Sequence, residues 1–257
     1  MPREVTTEYF SGQGILYLAE LIDQIPQGFV DVGNCPALTV SLETSTIEKK
    51  ESRSGARLTA LRQTTDKKAN IAFTLESFSK ENLTKALFAT MTSVAATPVT
   101  DSPITARLGK VVALPDIKVS SVTVQGTGTQ SAITYELAKN YSINLDTGSI
   151  YFFTEAEQTA ASAANSIAEG AALAVDYTPA VQVNIESFGV AEKEYALRFE
   201  GLNTSDGNKP VVVTAHRVRL SPLKTLALIS DETATLDMDA PVLATTAGKF
   251  VSIRKLG

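Results

Sequence analysis

The chain has 257 residues, room for one large β domain or for a main domain carrying a smaller one, and its 44% hydrophobic and 20% charged residues exclude a natively disordered chain. A single cysteine, Cys35, excludes an internal disulfide framework and a cysteine-based structural metal site. The net charge of -5 argues against a nucleic-acid reader, which needs clustered Lys and Arg to release counterions from phosphates.

Residues 1–14 lack periodicity and read as an arm or lead-in. Met1 to Val5 carry no apolar stretch of the secretory type, so synthesis and first folding are expected in a cytoplasm. Apolar residues become dense from Ile15 to Leu21, and Gln27-Gly28 and Gly33-Asn34 supply turn chemistry around Phe29 to Val32. Leu38, Val40 and Leu42 alternate with polar neighbours, as do Ile71, Phe73 and Leu75, which predicts two half-buried strands. Between them Thr44 to Lys68 is polar and reads as a long projecting hairpin loop, a length that marks function or disorder. This segment holds seven basic residues against three acidic ones, a local +4 that leaves about -9 for the rest of the chain. A basic segment on an acidic body is the pattern expected if one copy docks that segment on another.

Ser79 is placed to cap a helix whose apolar stripe is Leu83, Ala86, Leu87 and Met91, expected to cover a sheet face. The stretch 98–178, bracketed by Pro98, Pro103 and Pro179, is poor in charge and rich in Thr, Ser, Ala and Val, and reads as an inserted β-rich subdomain within a main domain of 1–97 and 179–257. Inside it Val122 to Val124 is strand-like, Asp146-Thr147-Gly148 is a hairpin turn between Tyr141–Ile143 and Ile150–Phe152, and Leu173, Val175 and Tyr177 alternate. The Ala-rich piece 155–170 has helix propensity but no apolar stripe, which leaves its structure open. Ala156 to Ala174 is broken by Glu157, Gln158, Asn165 and Glu169, and no run approaches the roughly eighteen apolar residues of a membrane span. Beyond Pro179, strands are expected at Val181–Ile185, Tyr195–Phe199, Val211–Leu220, Leu226–Ile229, Leu236–Ala240 and Phe250–Ile253, with a turn at Asp206-Gly207-Asn208. Many short strands with turns between them define a mainly β sandwich or barrel.

Motifs for chemistry are weak. His216 lies in an alternating strand, Cys35 at a turn, and nothing in the sequence pairs them as nucleophile and base. Gly12-Gln13-Gly14 and Gly126-Thr127-Gly128 lack the third glycine and the βαβ setting of a nucleotide fingerprint, and read as turns. Asp237 and Asp239 share a strand face, where an acidic solvent surface is the commoner explanation than glycoside hydrolysis or calcium binding. The expectation is a protein that is not an enzyme and carries no cofactor or metal.

The order of arm, strand, long polar segment, strand, helix, inserted module and a run of strands resembles the tail tube (major tail) protein of bacteriophages with long, flexible, noncontractile tails. The likeness is carried by Gly14 to Leu18 with Gly28 to Asn34, by the hairpin and helix from Leu38 through Phe88, by Asn140 to Asn144 with Asp146 to Ile150 and Val175 to Thr178 in the insert, and by Leu197 to Gly201 with Val211 to Val213 and Arg217 to Leu220. The resemblance implies a structural virion protein with a β-sandwich or barrel and one flanking helix. Its copies would close into hexameric rings that stack into a tube, through which DNA passes without specific binding. It further implies tape-measure, tail-terminator and tail-tip proteins as partners, no membrane partner, residence in the host cytoplasm before assembly and in the phage tail afterwards, and an insert on the tube exterior. Carried onto this sequence, the inter-ring element would be Thr44 to Lys68 with Lys49, Lys50, Glu51, Arg53, Arg57, Arg62, Lys67 and Lys68. The alternative reading is a phage decoration or adhesin-type β binding module, and a carboxylate hydrolase on a β scaffold is a third.

Overall fold

The computed structural model of the chain describes residues 8–53 and 55–256. It divides into unit 1, Met1–Thr90 with Ile185–Gly257, and unit 2, Met91–Asn184; the expected insert bounds of 98 and 178 fall inside unit 2. Residues 1–7 of the expected arm lie outside the described residues. The first half of unit 1 contains β1 (Gly12–Ile22), β2 (Ile25–Pro26), β3 (Val30–Asp31), β4 (Ala37–Lys50), β5 (Thr59–Leu75) and α1 (Lys80–Ala86), after which β6 (Thr90–Val94) leads onward. Unit 2 contains β7 (Val99–Thr105), β8 (Val111–Ala113), β9 (Val119–Gly126), β10 (Thr134–Tyr135), β11 (Tyr141–Asn144), β12 (Ser149–Phe152), α2 (Glu155–Ala160) and β13 (Ala172–Pro179). The return strand β14 (Gln182–Glu186) pairs with β6, and β15 (Glu194–Asn203), β16 (Lys209–Arg219), β17 (Leu236–Val242) and β18 (Val251–Lys255) complete unit 1. The protein is mainly β.

Unit 1 is a nine-stranded antiparallel sheet in the order β2-β1-β15-β16-β17-β5-β4, with β18 branching from β16 and β3 from β1. Leu16 and Leu18 near one end of that order and Ile71, Phe73 and Leu75 near the other belong to one buried cluster with Leu197, Val218, Leu236 and Met238, so the sheet curls upon itself to enclose its core. The alternation read along β5 and β17 is the alternation of burial: Leu236, Met238 and Ala240 are buried while Asp237 faces water; β15 departs from it, burying Tyr195, Ala196 and Leu197 in a row and leaving Phe199 half-buried. Gly12-Gln13-Gly14 is not a turn but the start of β1. Gly14 stands opposite Gly201, and a Cβ there would lie 2.1 Å from the carbonyl oxygen of Glu200, so the glycine serves close strand approach.

The cap at Ser79 forms as expected, its Oγ accepting from the Asn82 amide at 3.1 Å. The helix is shorter than its stripe predicted. Phe88 takes a left-handed φ of 51° and the Ala89 amide bonds back to Thr84, which ends the helix before Met91; Met91 lies exposed in β6. Buried Asn82 ties the helix to the sheet by donating to the carbonyls of Val32 (2.8 Å) and Ser77 (3.0 Å). Leu226–Ile229 is not a strand. A bond from the Leu223 amide to the Ala86 carbonyl holds the chain at the core, where Leu223 and Leu226 are partly buried, and beyond them Leu228 and Ile229 are exposed.

Unit 2 packs a four-stranded sheet, β10-β9-β13-β7, and a three-stranded one, β11-β12-β8, around a core with Val124, Ile150, Phe152, Leu173 and Val175 fully buried. The turn expected at Asp146-Thr147-Gly148 joins β11 to β12. Gly148 has φ 64°, and a Cβ would sit 2.2 Å from the Asp116 carbonyl oxygen, so no other residue fits without rearrangement. The Ala-rich stretch resolves into a short helix and a tied loop. Thr154 and Glu157 form a reciprocal cap, and Gln158, wholly buried, donates to the carbonyls of Phe153 (2.9 Å) and Ile167 (3.0 Å) while accepting from Ile167 (2.7 Å) and Asn140 (3.0 Å). A polar residue thus organises a segment with no apolar stripe to read.

Candidate assembly surface

The segment expected as a loop is a β ribbon. β4 and β5 stay paired from Ala37–Thr74 out to Lys50–Thr59, and only residues 51–58 turn the chain around. β17 pairs with β5 only from Ala69 to Leu75. Over the ten residues Thr59–Lys68, β5 therefore has β4 as its single neighbour among the described residues, a two-stranded projection roughly 30 Å long at the usual rise per residue. Its residues are exposed on both faces. The period-two signature needs one buried face, and among the described residues this ribbon has none; hence its sequence looks like loop.

Lys49 and Lys50 end β4, Glu51, Arg53 and Arg57 lie in the turn, and Arg62, Lys67 and Lys68 lie on β5. Arg62 pairs with Glu48 across the strands at 3.7 Å and Lys68 with Asp66 at 3.4 Å, both exposed contacts of small energetic weight. Among the described residues Lys49, Lys50, Arg53, Arg57 and Lys67 form no ion pair, so the distal ribbon keeps an unneutralised positive field. Cross-strand register puts Ile47, Lys49, Leu61 and Gln63 on one face and Glu48 and Arg62 on the other. Ile47, Leu58 and Leu61 are exposed and apolar. Sequence reading passed over these three because charge dominates the segment, although their recurrence between charged residues was a signal in itself.

β4 is also the last strand of its sheet, and β18 pairs only with β16. Between the two edges lies a cleft of about 420 Å³ lined by Val40 and Leu42 of β4 and by Lys249, Phe250, Val251 and Ile253 in and before β18.

Of the groups weighed for chemistry, His216 is half-buried on β16 and also lines this β4–β18 cleft, while the carboxylates and the cysteine are engaged by other partners. A cleft of about 430 Å³ does contain Asp237 and Asp239. Asp237 accepts from Thr74 Oγ1 at 2.8 Å, and Asp239 from Lys224 Nζ at 3.0 Å, a contact that holds its carboxyl below the ordinary range, the opposite of what a general acid requires. Burial pushes the Cys35 thiol up, away from the reactive thiolate, and its sulfur donates to the Ala37 carbonyl at 3.2 Å. Among the described residues, no three His, Cys, Asp or Glu side chains are grouped to hold a metal ion, and no helix is long and apolar enough to cross a membrane.

Fold and surface together define a mainly β protein whose most prominent feature is a basic two-stranded projection. The family model described as protein of unknown function UCP028589 matches residues 9–250, and the chain belongs to that family. A comparison with curated proteins found no match.

Proposed function

We propose that this protein is a structural, non-enzymatic subunit that assembles with copies of itself into stacked rings, as the tail tube protein of a long noncontractile bacteriophage tail. The observation that carries this reading is the ribbon. An isolated two-stranded hairpin is at best marginally stable in water, and this one extends about ten residues past its sheet with apolar and cationic side chains on its surface. Such an element gains its stability where a neighbouring molecule covers it. The rest of the chain carries about -9, so a second copy supplies a complementary field. A projection on one end that meets a receptor on the other is a head-to-tail contact, which propagates without limit and builds a tube from rings. In this reading the ribbon bridges successive hexameric rings, unit 2 stands on the exterior, and an acidic lumen lets DNA pass by repelling it. Tape-measure, terminator and tip proteins would meet the tube in the virion.

Electron microscopy of the purified protein over a concentration series tests the reading, with rings and tubes expected. Reversing charge at Lys49, Lys50, Arg53 and Arg57 together is expected to leave a folded protein that forms rings but no tubes. Tubes of normal length from that variant would remove the ribbon as the stacking element, and a wild-type chain that stays monomeric with tail-assembly factors present would overturn self-assembly itself.

A further inference from the structure

The segment joining β16 to β17 carries the two most exposed large apolar side chains of the described residues, Leu228 at 83% and Ile229 at 98%. A surface leucine or isoleucine ordinarily rests part of its area on neighbours; these two touch almost nothing, although Leu223 and Leu226 just before them anchor the segment to the core. An anchored arm with an apolar tip is a plug. The cleft between the β4 and β18 edges is a matching socket, since Val40, Leu42, Phe250, Val251 and Ile253 line it with aliphatic and aromatic surface, and Leu42 is 74% exposed there. Charge agrees with shape. Asp231 and Glu232 follow the tip after Ser230, Lys249 stands on the cleft, and among the described residues none of the three side chains is in an ion pair.

We infer that the Leu228–Ile229 tip of one copy docks in the β4–β18 cleft of a second copy, making the lateral contact within a ring. The inference rests on the self-assembly reading above and assigns a different surface from the ribbon. The contact is heterologous, tip to cleft, so each subunit offers one of each and a closed ring uses them all. Both edge strands bordering the cleft are thereby covered, which removes two open backbone edges at once.

The test uses the full chain, sedimentation velocity and electron microscopy. A Leu228→Ser/Ile229→Ser variant and a Leu42→Lys variant change only exposed side chains, so circular dichroism and melting are expected to match wild type. Each variant alone is expected to weaken ring formation at least about tenfold, the effect of truncating an interface anchor. Mixed in equal amounts, the two should pair laterally as dimers and close no ring, because one intact tip meets one intact cleft and the remaining pair is dead. Wild-type rings from the tip variant, or rings from the mixture, would overturn this docking while leaving the ring-and-tube reading in place. A wild-type chain that remains monomeric overturns both.

Discussion

Glu194 shows how an acidic chain holds its own charge in place. Arg217 of the neighbouring strand donates to its carboxylate through Nε and Nη2, both at 2.7 Å, and Arg219 adds a third bond at 3.0 Å. The Arg217 bonds, helped by those from Arg219, hold the Glu194 carboxyl below its ordinary value against a partial desolvation that opposes them. A depressed folded-state value means the stabilisation is complete above the unfolded carboxylate value of about 4.3 and is lost as pH falls through the lower folded value. Glu194→Gln is therefore expected to cost about 1–2 kcal/mol in urea unfolding at neutral pH, with the gap to wild type closing as both are titrated below the carboxylate range. A gap that stays constant with pH would assign the loss to packing.

At the scale of elements, the ribbon makes a prediction that side-chain replacement cannot. In the monomer its cross-strand amides are shielded only by each other, so those of residues 44–50 and 59–68 should exchange with solvent much faster than those of β15 and β16, and become protected in assembled tubes. Equal protection in monomer and assembly would mean that no neighbour covers it. The same elements show what sequence reading could reach. Strands with one wet face, such as β5 past Ala69 and β17, were legible because burial imposes alternation. The hairpin, Thr44 to Lys68, is locatable in the sequence but reads as loop, since among the described residues nothing covers either of its faces. Leu226–Ile229 misleads in the other direction: four residues rich in apolar side chains imply burial, and the fold only partly buries the first. Helix α1 was legible at its Ser79 cap and not at its end, which Phe88 sets by a backbone conformation that carries no pattern. Gln158 was seen only as an interruption of an alanine run, because the value of a buried amide depends on carbonyls brought to it by folding.

At the scale of the molecule, the two units have separate cores, and the chain leaves unit 1 beside the place where it returns. The amides of Phe188 and Val190 donate to the carbonyls of Leu87 and Phe88, and Gly189 packs against Thr90. An insertion between adjacent backbone points costs its host little. Replacing Met91–Asn184 with a short Gly/Ser linker is expected to leave unit 1 folded, with its strand signal by circular dichroism and its cooperative melt retained; a chain that fails to fold would make unit 2 part of the scaffold. If the shortened protein also forms rings, the exterior position proposed for unit 2 gains independent support.

The ribbon pairing breaks register twice, between Ser45 and Thr46 and between Lys49 and Lys50. Each irregularity adds right-handed twist, so the projection is coiled rather than planar. Planarity is what cross-β fibres demand of the segments they recruit, and two exposed strands with aliphatic side chains would otherwise be candidates for that fate. A twisted, cationic finger has no flat mate in another finger like itself. Twist and charge can therefore keep an element with exposed aliphatic side chains in open water without recruiting it into a fibre.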